Sequence, residues 1–259
     1  MKKQEHVSDI SLVLCLSFMN ILPNIQIINT ALYFKKQRLL ALGDIHIGYE
    51  EALNKQGIFV PRTSNAELLK RTELLLQKTK PEKVIIIGDL KHEFGTISET
   101  EWRHTIRFLN LLQKYAKKII LIKGNHDTIL GPIAKTKNMK VVQTHSVETF
   151  LFTHGDKIPK QANNKNVKTI IIGHEHPAVT VTDWPRMETY KAFLKGTWKN
   201  KQLIVMPSFT TLTEGTDVLK EKLLSPYLDK QNILDFDCYI IADKPYYFGK
   251  IKNIKEKKK

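Results

Sequence analysis

The chain alternates between short, wholly apolar runs and longer stretches whose apolar residues recur every three or four positions. Five of the short runs share a form: Leu39–Leu42, Val84–Ile87, Ile119–Ile122, Phe150–Phe152 and Ile170–Ile172. Runs this short with no polar face predict strands buried on both sides. Between them, Ser64 with Glu67 and Ser98 with Glu101 form two capping boxes. Helical stripes follow each box, at Leu68, Leu69, Leu75 and Leu76 and then at Trp102, Ile106, Leu109, Leu112 and Tyr115. Pro81 closes the first helix. A shorter helix is predicted over Gly48–Leu53, and Gly57 to Pro61 forms a loop. Strand, helix, strand, helix, strand indicates an α/β sheet with crossover connections.

After Met139 the helical pattern thins out. Val141-Val142, Thr149–Thr153 and Thr169–Ile172 read as strands, and Tyr190–Leu194 turns at Lys199-Asn200 into Leu203–Met206. A last hairpin joins Cys238–Ala242 to Tyr246–Gly249. Near the front, Ile25–Ile28 and Ala31–Phe34 flank an Asn29-Thr30 turn. Residues 21–250 thus form one domain, helix-rich first and strand-rich second. Residues 1–20 read as an extension or a misassigned start, with Met19 as the true one. An extra helix or strand and a signal segment are the alternatives, although no small-x-small cleavage site follows Ile10–Met19. The lysine-rich tail 251–259 reads as solvated, with a contact to phosphates as the alternative.

Each of the five runs ends in metal-binding residue types. In order the ends carry Asp44-x-His46, Gly88-Asp89, Gly124-Asn125-His126-Asp127, His154 and Gly173-His174-x-His176. At an extended strand end, residues two apart point the same way, so His174 and His176, like Asp44 and His46, can face common ions. Two divalent ions roughly 3.5–4 Å apart can clamp a phosphate, activate a water and stabilise both attacking and leaving oxygens. Such a pair needs a ligand set of the size these five ends supply, including a shared carboxylate.

Charge and cysteine content sharpen this picture. The formal net charge is +15, which favours an anionic partner such as nucleic acid or a phosphorylated substrate, with a merely lysine-rich surface as the alternative. Cys15 and Cys238 offer neither a disulfide framework nor a metal-binding pair, so a reducing cytoplasm is the expected setting. Ligands drawn from His, Asp and Asn suit Mn, Fe, Zn or Ni.

The ordered set of strand ends resembles the calcineurin-like metallophosphoesterase superfamily. That resemblance implies two facing sheets flanked by helices, an α/β/β/α sandwich. It implies that Asp44, His46 and His176 hold one metal and that Asn125, His154 and His174 hold the other, with Asp89 bridging. It makes His126 the group that meets the phosphate and its leaving oxygen, with Asp127 accepting from the other ring nitrogen to hold the tautomer. His6, His104 and His145 fall outside the motifs and read as surface or loop histidines.

Further words narrow the resemblance. His92 stands three residues after Asp89, a spacing similar to that of SbcD-type DNA nucleases, where a histidine there assists catalysis; a bystander loop histidine is the alternative. Lys91 is a substrate-phosphate contact or an exposed lysine. The stretches from Gly43 to Glu50, Lys91-His92-Glu93-Phe94-Gly95, Pro207-Ser208-Phe209 and Glu214-Gly215-Thr216-Asp217 look like the small SbcD-related phosphoesterases of archaea. These are similar to bacterial phosphoesterases encoded beside DNA ligase and helicase. The resemblance implies a phosphodiesterase acting on DNA, with Mn favoured, a role in DNA repair, and a helicase or ligase as associate, away from membranes. A phosphodiesterase or phosphatase for small nucleotides is the alternative, and a non-catalytic scaffold of the same fold the remoter one.

Overall fold

In the computed structural model the described residues are 16–60, 63–93, 98–127, 130–132, 139–183 and 185–254. The N-terminal run up to Cys15 with His6, Pro61, the Phe94-Gly95 pair and residues 255–259 lie outside them.

A first sheet runs β1 (Phe18–Leu22), β2 (Ile25–Ile28), β3 (Ala31–Phe34), β4 (Leu39–Gly43), β5 (Lys83–Ile87), β6 (Lys118–Ile122) and β7 (Lys140–Val142), in that spatial order. Strands β1 to β4 pair antiparallel and β4 to β7 parallel. The parallel half needs crossovers; α1 (Tyr49–Lys55) and α2 (Ser64–Thr79) carry the one from β4 to β5, and α3 (Glu99–Tyr115) the one from β5 to β6.

The second sheet holds β8 (Thr144–Val147), β9 (Phe150–Thr153), β10 (Thr169–Ile172), β11 (Pro177–Asp183), β12 (Arg186–Trp198), β13 (Lys201–Val205), β14 (Thr216–Asp217), β15 (Asp237–Ile241) and β16 (Pro245–Lys250). Its centre is parallel, with β10 between β9 and β13.

Side-chain alternation explains why the central strands are continuously apolar. Leu39, Ala41, Ile85, Ile87, Ile120 and Ile122 face the second sheet, whereas Leu40, Leu42, Val84, Ile86, Ile119 and Leu121 face α2 and α3. Both faces are dry, so neither tolerates a polar residue. Phe34 anchors the layer between the sheets, edge-on to Phe150 and Phe152 at ring separations of 5.3 and 5.2 Å. The outer face of the second sheet is covered by loops and short helical turns, including Lys160–Asn163, Lys230–Ile233 and Ile251–Asn253.

Several expectations need correction. The strand pattern begins at Phe18 rather than Ile25, because Phe18–Leu22 pairs along β2. Ile251 is fully buried, so the lysine-rich tail starts inside the fold. Helix α2 is preceded by Thr63, whose side chain makes no capping bond, and Ser64 is already helical. Before α3 the box is half formed. Ser98 accepts from the Glu101 amide, but the Glu101 carboxylate reaches the amides of His92 and Glu93 instead of turning back. His145 lies within β8 and His104 within α3, both partly exposed, which fits the surface reading and excludes the loop one.

Candidate metal centre

The C-terminal ends of β4, β5, β6, β9 and β10 converge at one face of the sandwich, where parallel strands release their chains into loops. The backbone there is forced into left-handed geometry. Asp44, His46, Asp89, His174 and His176 all have positive φ, between 44° and 67°. Five non-glycine residues held this way in one place mark strain stored at a functional site. Two glycines make the convergence dense enough. A Cβ on Gly88 would overlap the His154 ring, and one on Gly124 would overlap the Asp89 carboxylate.

The side chains form two main groups able to hold a metal ion: Asp44 with His46 and His176, and Asp89 with His154 and His174. His46 Nε2 lies 3.2 Å from His176 Nε2, and His174 Nδ1 lies 3.2 Å from His154 Nε2. Asn125 joins the second group through its Oδ1, 2.8 Å from His154 Nε2. Asp89 Oδ2 sits between the groups, 3.5 Å from His154 Nε2 and 3.8 Å from His46 Nε2. Asp44 Oδ1 is buried without a hydrogen-bond partner, 3.6 Å from both His154 Nδ1 and His176 Nε2. An orphaned carboxylate oxygen among imidazole nitrogens that face one another is the donor set of a metal site, and divalent cations fit it. All seven residues expected as ligands therefore meet.

Two carboxylates this close cannot both ionise freely. Burial raises Asp89, the neighbouring Asp44 charge adds to the effect, and its pKa reaches about 9. Burial also disfavours the Asp44 carboxylate, but the His176, His154 and His46 imidazoles outweigh it and hold its pKa at about 2. Burial keeps His46 neutral, and it lowers His174 to about 4 with help from His154. The metal-free centre thus holds neutral His46 and His174 rings and one proton on Asp89, which a cation must displace. Metal affinity is therefore expected to rise about tenfold per pH unit through neutrality and to level off above pH about 9. Calorimetric titration across that range is the check; a flat profile would show Asp89 already ionised.

His126 adjoins this centre with Nε2 3.9 Å from Asp89 Oδ2, and its backbone amide donates to Asp89 Oδ1 at 2.9 Å. Its Nδ1 lies 2.6 Å from the His92 carbonyl oxygen. That contact corrects the role expected of Asp127. The Asp127 carboxylate accepts from the backbone amides of Gly124, Leu90 and Lys91, tying the β5 and β6 loops together. The His126 ring is instead oriented by the main chain at His92.

The His92 ring stacks on Tyr49 at 4.2 Å, adjoins His126 at 5.4 Å, and places Nδ1 3.4 Å from His46 Nδ1. Burial and the His126 charge lower its pKa to about 4. It forms a third group with His46 and His126 that overlaps the first through His46.

Lys91 is neither exposed nor turned toward a substrate. It is fully buried, and its ammonium donates to the Glu93 carbonyl. Its sequence neighbourhood, a polar loop, gave no sign of this burial.

Supporting residues that local patterns missed include Tyr49, Glu101 and Glu175. Glu175 is buried between two histidines of the centre and accepts from the amides of Leu224 and Ser225. The late sequence words also find a purpose. The Phe209 amide donates to the Gly43 carbonyl at 2.7 Å, and Thr216 donates to the His176 carbonyl at 2.8 Å. Both stretches brace the backbone of ligand-bearing ends.

Residues 37–178 match the family model described as calcineurin-like phosphoesterase. No curated protein matches the sequence. Among solved structures, the Pseudomonas putida nuclease MPE is 19% identical, over 90% of this chain and 99% of that one, with a TM-score of 0.64, which shows a shared fold. A phosphoesterase from E. coli is 15% identical, over 65% of this chain and 77% of that one, with a TM-score of 0.36. A protein of unknown function from Aquifex aeolicus is 18% identical, over 53% and 78%, with a TM-score of 0.37.

Proposed function

The chain belongs to the calcineurin-like phosphoesterase family, and from that membership and the site geometry we propose that it is a two-metal phosphodiesterase acting on DNA. The observation that carries the reading is the convergence of seven ligand-type residues on a buried, orphaned carboxylate oxygen, with His126 alongside. Asp44, His46 and His176 would hold one ion, Asn125, His154 and His174 the other, and Asp89 would bridge them. Bound ions would supply an activated water and neutralise charge on the phosphoryl oxygens.

The protein's own groups do the rest. The His92 carbonyl fixes the proton on Nδ1 of His126, which leaves Nε2 to meet the substrate. In its protonated form Nε2 can donate to the departing oxygen; burial lowers the pKa of the ring overall, and the carbonyl on Nδ1 opposes that shift. Asn125 contributes a neutral oxygen, so the ligand set does not repel an incoming phosphate as a third carboxylate would.

Three features favour DNA over a small ester. The net charge is +15. His92 lies in the site beside His126. A structure sharing the fold over nearly its whole length is named a nuclease. Mn is the favoured metal on the resemblance to SbcD-related enzymes, and a helicase or ligase is the associate it suggests.

Hydrolysis of supercoiled plasmid and of a bis-aryl phosphodiester, each with Mn²⁺ and with EDTA, tests the reading. Mn²⁺-dependent nicking is expected. Cleavage of the small diester with intact plasmid would transfer the proposal to small nucleotides.

A further inference from the structure

Two cations lie beside the metal centre without an ion pair among the described residues. Arg71, on α2, is 7% exposed, and its guanidinium sits 4.1 Å from the centre of the Phe209 ring. It donates to the Phe209 carbonyl, yet its Nε is buried with no hydrogen-bond partner. Lys191, on β12, donates to the Ser208 carbonyl at 2.9 Å, the Ser208 hydroxyl at 2.8 Å and the Thr210 carbonyl. Neither makes an ion pair among the described residues. The acidic groups that face them are Glu67, one turn before Arg71 and exposed, Glu214 on the cavity wall, and Asp44, whose charge favours the Lys191 ammonium across the 208–210 loop. Burial, reinforced by the Arg71 charge, lowers the Lys191 ammonium to about 7. A buried guanidinium N–H with no acceptor, next to a second cation, is costly unless an anion completes it.

Both side chains line one open cavity of about 280 Å³, whose wall also carries Thr30, Thr211, Thr213 and Glu214. Its location gives the cavity meaning. The wall at Thr30 is the turn between β2 and β3. That turn lies beside the C-terminal end of β4, since Leu32 pairs with Ala41. The loop Ser208–Thr210 separates the cavity from Asp44, whose carbonyl accepts from Thr210 at 3.4 Å. Neighbouring strands are about 4.8 Å apart, so the cavity begins roughly 5–10 Å from the Asp44 end of β4. That is the range separating adjacent phosphates on one nucleic-acid strand.

We propose that this cavity binds the phosphate next to the scissile one on a DNA strand, with Arg71 and Lys191 as its cationic wall. The inference rests on the nuclease reading for the identity of the strand. It gives a role to two neighbouring cations that make no ion pair among the described residues and to the unpartnered Arg71 Nε, and it makes substrate length a determinant of affinity.

The test is binding rather than turnover. A short fluorescent single-stranded oligonucleotide is titrated in EDTA over a salt series, with wild type, Thr211→Glu, Arg71→Met and Lys191→Met. Thr211 is exposed on the rim, so its substitution does not disturb the buried bonds that hold the 208–210 loop. Thr211→Glu is expected to raise Kd at least about tenfold through like-charge repulsion. The two methionine variants are expected to raise Kd similarly and to make the salt slope shallower by about 0.7, one phosphate's share on a single strand. Circular dichroism melts establish that they fold.

An unchanged Kd for Thr211→Glu, or no binding by wild type, overturns the proposal. So does saturation by inorganic phosphate without oligonucleotide binding, which would assign the cavity to the free ion. Plasmid nicking with unchanged Kd and slope removes the cavity alone. Altered Kd and slope without hydrolysis of any diester keeps the cavity and removes the nuclease reading.

Discussion

Replacing His126 by alanine is expected to lower kcat about 100-fold or more while metal binding persists. The two outcomes separate because of where the ring sits. Nε2 is 3.9 Å from the Asp89 carboxylate, and Nδ1 is committed to the His92 carbonyl at 2.6 Å. Alanine keeps the backbone amide that donates to Asp89 Oδ1, so the Asp89 carboxylate retains its orientation. What disappears is the group facing the leaving oxygen. Calorimetric Mn²⁺ titration alongside steady-state kinetics on a diester checks both halves. A diester whose leaving group needs no proton should show a smaller loss, which identifies proton donation as the missing step. Unchanged kinetics would remove His126 from the chemistry.

The second expectation is larger. Asp89→Asn should reduce kcat/KM by more than about 1000-fold, because losing the shared ligand forfeits several kcal/mol of charge stabilisation by the metal pair. Asp89 lies between the two groups, within 3.5 and 3.8 Å of His154 and His46 nitrogens. An amide of the same shape keeps the packing but cannot neutralise two cations. The substitution also removes a carboxyl that burial, and then the neighbouring Asp44 charge, forces to take up a proton on folding at neutral pH, so the metal-free protein should be at least as stable as wild type. Metal content by elemental analysis and thermal melts with and without Mn²⁺ separate these effects. Full metal occupancy with wild-type kinetics would show that Asp89 bridges nothing.

The central strands and their polar ends were legible because burial on both faces leaves no room for ambiguity. Val84–Ile87 can face only a helix layer and a sheet layer, and the polar residue that follows must belong to the rim. The side chains that converge at these ends were legible for the same reason. Less regular strands were not. Pro177–Asp183 and Thr144–Val147 are held by pairing partners more than by their own apolar pattern. Contacts fixed by tertiary packing were also hidden. Nothing local to Lys91 announces that its ammonium will be buried against the Glu93 carbonyl, nor that Glu101 will bypass its cap to hold the His92 amide. Asp127 beside His126 suggested a carboxylate–imidazole pair, but three backbone amides compete for that carboxylate and take it.

Asp44, Asp89 and Asn125 follow strands of the first sheet, whereas His154, His174 and His176 follow strands of the second. This division has a consequence for biosynthesis. A nascent chain that has delivered only its first sheet presents oxygen donors with His46, His92 and His126 as the imidazoles near these strand ends. The remaining nitrogens emerge later, and the Phe209 brace later still. The complete coordination sphere therefore closes only after the long-range β pairing that is the slow part of folding such topologies. On the two-metal reading, the ion is then chosen by the finished fold and not by the ribosome-bound chain.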